Sequence, residues 1–419
     1  MKNIFSRIIA LSLTVLVALS SASCTYQTAN ADTLSASYKR NIAGNYTVSD
    51  TFTAAANKFA MQLFSQSVSN NGNNVLISPL SAFCCLSLVA NGANGNTLTQ
   101  IEQALTIDIE ELNQSSYAFM NSIYSSKKCK LNIANSVWYN NSSDKLNVSP
   151  EFLQANANWY DSDIFAADFG EKTITDINNW CKNNTNGMID SIISEIDPFT
   201  VMYLFNAIAF ESEWAVQYKK NQINAGIFNN YNGTKANVQM MHSSENKYFE
   251  YGNAKGFAKN YSGDAYSFVG ILPDEQTDIY EFAQNMNIQF WNNFLGSGTS
   301  CPVILKMPEF KFETDIINFD KALQGMGITD IFDSSKADFS KMGNSPLGNL
   351  YVSSVFQKAF IDVSRNGTKA AAITGADIKG ESCAPIKEKY IVLDRPFIYA
   401  IIDNSTNIPL FIGITTSIQ

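Results

Sequence analysis

Gly367-Thr368-Lys369-Ala370-Ala371-Ala372-Ile373-Thr374 lies within a connection of more than twenty-five residues, joining a strand pattern that ends at Val363 to one that begins near Ile391. A structureless loop of that length is uncommon inside a compact domain and usually carries function or is disordered. Its composition argues against plain disorder. Small uncharged residues recur at Thr368, Ala370, Ala372, Thr374 and Ala376, Ile378 continues that face, and the charges of Lys369 and Asp377 fall on the opposite parity. A period of two suits a strand. Small volume suits a strand that must enter a sheet already packed. An alanine-rich helical turn fits the same letters locally.

The elements around this segment alternate helix and strand without a βαβ rhythm. Phe52, Ala56, Phe59 and Leu63 recur at helical spacing. A short strand over 75–77 follows, then Ser78 as a cap before Pro79, whose missing N–H costs nothing in a first turn, and a buried helix to Val89. Thr97 and Gln100 form a capping-box pattern ahead of Ile101. A strand is expected over 131–138 and a helix over 174–182. The apolar run 201–210 reads as a central strand covered on both faces, so Asn206 within it needs buried partners. Further strands are expected over 266–272, 303–312, 350–363, 391–393, 397–402 and 410–415. Helices early and strands late indicate one α+β domain without internal repeats.

With 45% hydrophobic and 12% aromatic residues, the chain can bury a substantial core. A net charge of -9 argues against a nucleic-acid or anionic-membrane surface. His242 is the single histidine, so any Ser/His/Asp or Cys/His catalytic arrangement must run through it. No nucleophile-elbow, phosphate-loop, dinucleotide, HExxH or EF-hand motif accompanies it, and a structural or surface role is expected. The cysteines lack metal-ligand spacing, so neither a metal site nor a disulfide framework is expected. Cys84, Cys85 and Cys181 stand in apolar helical contexts, where a free cysteine behaves as a small hydrophobe.

Lys2 and Arg7 precede the apolar stretch 8–19 and the small residues 20–23, a pattern expected of a signal peptide over 1–23. Ser21-Ala22-Ser23-Cys24 resembles a bacterial lipoprotein processing site, with Ser21 where leucine is usual, and marks Cys24 for lipidation. The alternative is an ordinary secretory signal. Residues 24–50 are polar and read as a flexible tether, followed by the folded domain over 51–419. An exported, cell-envelope monomer touching membrane only through lipid is expected, or otherwise a secreted protein.

Asn366-Gly-Thr-Lys-Ala-Ala-Ala-Ile-Thr-Gly375, preceded by Val355-Phe-Gln-Lys-Ala-Phe-Ile-Asp-Val363, resembles the hinge region of the serpins. Serpin-like blocks also occur, in serpin order, at Ile77-Ser-Pro-Leu-Ser81, Ile177-Asn-Asn-Trp180, Leu204-Phe-Asn-Ala-Ile-Ala-Phe210 with Trp214, Met307-Pro-Glu-Phe310 and Asp394-Arg-Pro-Phe397. The resemblance covers roughly 51–419. It implies three β-sheets, eight or nine helices and a reactive-centre loop outside a five-stranded main sheet in a metastable native state. It also implies a suicide substrate for serine, alternatively cysteine, proteases rather than an enzyme. The cleaved loop inserts into the sheet and traps a covalent acyl-enzyme, and no cofactor is required.

By the same resemblance, the hinge comprises Gly367, Thr368, Ala370, Ala371, Ala372 and Thr374. Ser78, Ser81 and Asn206 match the polar cluster beneath the strands that must part, and Trp214 matches the tryptophan at the insertion point. Gln357 stands where histidine is usual, removing a group that titrates near neutrality. Glu309 and Arg365 stand where lysine and glutamate usually meet, with both signs reversed. Hinge-to-bond spacing points to Glu381–Ser382 as the bond attacked, while counting back from Pro396 lands near Pro385. Lys379 and Cys383 are the competing sites. A non-inhibitory carrier or chaperone and an unrelated hydrolase are the alternatives, and the small residues at Thr368, Ala370 and Ala372 favour inhibition.

Overall fold

The computed structural model describes residues 32–33, 38–69, 71–142, 144–368 and 388–419. After β1 (Asp32–Thr33), the Ser49 hydroxyl accepts the Phe52 amide and starts α1 (Asp50–Ser67), which buries Phe52, Ala56, Phe59 and Leu63. β2 (Val75–Ile77) runs into α2 (Pro79–Ala90), capped by Ser78 and opened by Pro79 as the sequence indicates. α3 (Gly95–Leu105) begins ahead of the expected capping box. Its Thr97 and Gln100 instead reach across the molecule: Asp338 N donates to Thr97 Oγ1, and Thr329 N and Asp330 N donate to Gln100 Oε1. Tertiary partners thus replace the local ones. Then come α4 (Ile109–Ser122), β3 (Cys129–Asn140), β4 (Asn147–Val148), α5 (Pro150–Tyr160), β5 (Asp163–Ala167) and α6 (Glu171–Asn184).

The second half is mostly strand. β6 (Met202–Glu213), β7 (Ile223–Asn229), β8 (Lys235–Tyr251), β9 (Ala254–Asn260) and β10 (Tyr266–Pro273) lead to α7 (Ile279–Gln284) and α8 (Ile288–Gly296). β11 (Thr299–Pro308), β12 (Phe310–Glu313), β13 (Ile317–Asn318), α9 (Asp320–Gly325) and β14 (Gly343–Asn344) follow. The chain closes with β15 (Phe356–Gln357), β16 (Phe360–Ser364), β17 (Gly367–Thr368), β18 (Lys389–Val392), β19 (Phe397–Asp403) and β20 (Pro409–Thr415). The single strand expected over 303–312 is two, parted at Glu309, because β11 and β12 belong to different sheets. The strand expected over 350–363 shrinks to β15 and β16, whose partners β13 and β12 are themselves short.

Nine α-helices among the described residues surround two large sheets. The main sheet has the order β1-β5-β3-β6-β17-β16-β12. Its five expected strands are β5, β3, β6, β16 and β12, with β1 added at one edge and β17 in the middle. The other two expected sheets are continuous, because the 17-residue β8 pairs with β7, β9 and β11 along its length. Alternation along β6 gives the main sheet two faces. Ile208 and Phe210 enter the large core, while Phe205, Ala207 and Ala209 join Trp138, Ile177 and Trp180 in a second core beneath α6.

The stretch read as a tether to residue 50 is docked from residue 38 onward. Arg40 Nε donates to Asn158 O at 3.1 Å, and its guanidinium lies 4.8 Å from the centre of the Tyr117 ring. Tyr46 packs edge-on against Tyr117 and Trp159, with centroids 5.8 and 5.5 Å apart. Aromatic and cation–π contacts hold a segment too poor in aliphatic residues to announce itself as packed. Cys24 lies outside the described residues. Among those residues, no helix is long and apolar enough to cross a membrane, and Cys84, Cys85, Cys129, Cys181 and Cys301 are free thiols. Burial pushes Cys84, Cys85 and Cys181 up to about 12, consistent with inert packing residues.

Candidate functional site

The hinge is where a glycine is structurally required. Gly367 has φ +149°, and a Cβ there would overlap the Ser212 carbonyl oxygen and sit 2.7 Å from Glu213 Cα. Gly367 pairs with Glu213 and Thr368 with Ser212, so β17 lies between β6 and β16. The start of the hinge, expected outside the main sheet, has therefore already entered it. Entry is favourable because Thr368 is small and its hydroxyl is satisfied: Oγ1 lies 2.6 Å from the Tyr261 hydroxyl at a buried position. Ala370, Ala371, Ala372, Thr374, Lys379, Glu381, Ser382 and Cys383 lie outside the described residues.

Two features brace this point. Trp214, buried, stacks on Tyr261 at 4.5 Å and 12°, and its Nε1 donates to Ser364 O at 2.8 Å. Arg365 Nε and Nη2 each donate to the Glu309 carboxylate at 2.8 Å, and Arg365 N donates to Oε1 at 3.0 Å. The strand break at Glu309, between β11 and β12, places this carboxylate at the hinge. Arg365 holds the Glu309 carboxyl below the ordinary glutamate value, chiefly by side-chain hydrogen bonding. A bidentate pair this exposed should contribute about 1 kcal/mol. Because the folded value is depressed, the contribution is full above the ordinary glutamate range and disappears as pH falls through the lowered value. A double-mutant cycle on Glu309→Gln and Arg365→Gln at pH 7 and pH 3 should show weaker coupling at the lower pH. Equal coupling at both would contradict the assignment.

The polar cluster forms beneath the other end of β6. Gln357 Oε1 accepts Ser78 N at 2.7 Å and Gln357 Nε2 donates to Ser78 O at 3.0 Å, so one amide ties β15 to the start of α2. Ser78 Oγ donates to Leu410 O at 2.6 Å and Ser81 Oγ to Asn206 O at 3.4 Å. Asn206 Nδ2 donates to Asn135 Oδ1 at 2.8 Å, whereas Asn206 Oδ1 is buried without a hydrogen-bond partner. Asn135 was missing from the sequence reading. Its signal is its place in the 131–138 strand, which pairs Asn135 directly with Asn206. Ser78, Ser81, Asn206 and Gln357 all line one narrow cleft of about 50 Å³ between β6 and β15. His242 sits apart from them, on β8 opposite Lys306, where burial foremost and Lys306 next lower its pKa.

The sequence profile of the family described as "Serpin (serine protease inhibitor)" matches residues 54–418. Among curated relatives, Iripin-8 of Ixodes ricinus is 31% identical over 377 residues, covering 86% of this chain and 92% of its own. Leukocyte elastase inhibitor A of Rattus norvegicus is 30% identical, covering 86% and 97%. Among solved structures, the thermophilic serpin tengpin in its native state is 43% identical, with a TM-score of 0.87 over 93% of this chain and 100% of its own. The latent state of tengpin gives 0.79 over 91% and 100%, so the present arrangement is closer to the native form. A chain that matches this family over residues 54–418 and shares its fold and sequence with these proteins over most of its length belongs to the serpin family.

Proposed function

We propose that the protein is an inhibitory serpin that traps serine proteases as a suicide substrate. The observation that carries this reading is the register of β17. Thr368 lies opposite Ser212, and a strand inserted in the same antiparallel register along β6 would set Ala370 against Phe210, Ala372 against Ile208 and Thr374 against Asn206. The residues entering the large core are thus small, as insertion into a packed sheet requires. The Thr374 hydroxyl would arrive beside Asn206 Oδ1, a buried amide oxygen without a donor, which adds a driving force for completing the strand. On the opposite parity, Lys369 would fall against Glu211 of β6 in the inserted strand, a favourable cross-strand charge pair.

In this mechanism the protease serine oxygen bonds to the Glu381 carbonyl carbon and Ser382 leaves as the new amino terminus. Insertion of the freed loop then drags the ester-linked protease away before water can attack. Incubation with a protease panel should give complexes stable to denaturing electrophoresis and a released peptide that starts at Ser382. A panel that cleaves the loop without forming complexes would sink the inhibitory reading, and a different first residue would move the bond. For localisation, Cys24 is proposed to carry lipid at the mature amino terminus. Cys24→Ala should then release the protein from the membrane fraction, and unchanged retention would count against anchoring through that thiol.

A further inference from the structure

Lys259 on β9 is 2% exposed, an unusual depth for a lysine. Its Nζ lies 2.8 Å from Glu245 Oε1 of β8 and donates to Val216 O at 3.2 Å. The ammonium also faces two rings, 4.6 Å from the centre of Tyr218 and 5.4 Å from that of Trp214. Ser243 Oγ completes the cluster, 2.6 Å from Glu245 Oε1 and 3.2 Å from the Tyr218 hydroxyl. Val216 itself turns its side chain to solvent at 69% exposure, so its buried carbonyl contact is not a by-product of side-chain packing.

What Lys259 supports is the segment 214–218, and that segment grips the hinge. Three successive hinge carbonyls find donors there: Ser364 O accepts Trp214 Nε1, Arg365 O accepts Tyr218 N at 3.2 Å, and Asn366 O accepts Trp214 N at 3.0 Å. These bonds shape the turn from which β17 starts. A zipper-like insertion proceeds from that turn, so its rigidity governs how quickly the next residues follow after cleavage. Buried ion pairs rarely outdo apolar replacements in stability. A pair of this kind directly beneath the grip therefore points to positioning rather than stabilisation.

We infer that Lys259 is a positioning residue whose ammonium, neutralised by Glu245, holds 214–218 in the shape that grips the hinge and so sets how readily the loop enters the sheet. The inference rests on reading 364–368 as the insertion hinge. Its test removes both charges together, in Lys259→Met/Glu245→Leu, so that no unpaired buried charge is left to unfold the chain. In the intact double variant, amide exchange at Trp214 and Tyr218 should be at least about tenfold faster while β10 amides keep their protection. Against any serine protease the wild type traps, the stoichiometry of inhibition should rise severalfold with the initial association rate unchanged. Wild-type exchange at Trp214 and Tyr218, or equal acceleration across β10, overturns the inference. Should the wild type trap no protease, the inhibitory reading fails while the exchange measurement still decides the role of Lys259.

Discussion

If this serpin traps proteases as proposed, Thr368→Arg should convert it into a substrate. Thr368 occupies a closed position between β6 and β16, with its hydroxyl against Tyr261 inside the large core. A guanidinium there would be buried without a partner, at a cost of several kcal/mol. The side chain should therefore expel β17 before any protease arrives, and after cleavage it must be forced back in at the first step of insertion. A barrier raised by several kcal/mol slows entry by orders of magnitude, leaving deacylation to win. Stoichiometry of inhibition should climb from near one to above about ten, with loop cleavage intact. Lys369→Arg, on the opposite parity, should change little. Cleaved wild type should also gain marked heat resistance and cleaved Thr368→Arg almost none. Stable complexes at unchanged stoichiometry in Thr368→Arg would show that insertion does not start here.

Gln357→Leu should produce the other large effect, on stability rather than on inhibition. The two volumes are similar, but leucine offers no acceptor to the buried Ser78 N, whose bond goes to this amide, while Ser78 O keeps the Ala82 N–H at 3.3 Å. Leaving that buried donor unsatisfied costs about 1–3 kcal/mol. Denaturant unfolding of the intact protein should show that loss at an unchanged m-value. A loss below about 0.5 kcal/mol would mean that another acceptor takes up Ser78 N. Gln357→His supplies a contrasting dependence, because a ring nitrogen accepting Ser78 N must be unprotonated. Its folded pKa would then be depressed, so stability present at higher pH is lost as pH falls through that value, whereas the wild-type link is indifferent to pH there.

Local chemistry made part of this readable in advance. Ser78 ahead of Pro79, the helical spacing of Phe52 through Leu63, and the apolar run around Asn206 each state their structure within a few residues. The site residues Trp214, Glu309 and Arg365 were legible as motif members, although not which atoms they bond. Contacts between distant strands were opaque. Lys259 reads as a solvent-facing strand lysine until β8 brings Glu245 beside it, and Asn135 reads as one polar residue among several until register sets it opposite Asn206. Thr97 and Gln100 misled because a capping box and a pair of long-range acceptors use the same residue types. The position of Thr368 escaped because entry into the sheet depends on whether a gap is open, which no local pattern encodes.

The reversed sign of the Glu309–Arg365 pair limits how freely parts can be exchanged among related proteins. A hinge grafted from a relative with an acid at the Arg365 position would bring two carboxylates to the spot where a guanidinium now makes paired bonds at 2.8 Å. Repulsion there would push the turn away from β12 and weaken the graft, whatever specificity its loop carried. Chimeras built on this serpin should therefore keep Arg365 from this chain, or change Glu309 to lysine in the same step, and junctions placed after Gly367 avoid the conflict altogether.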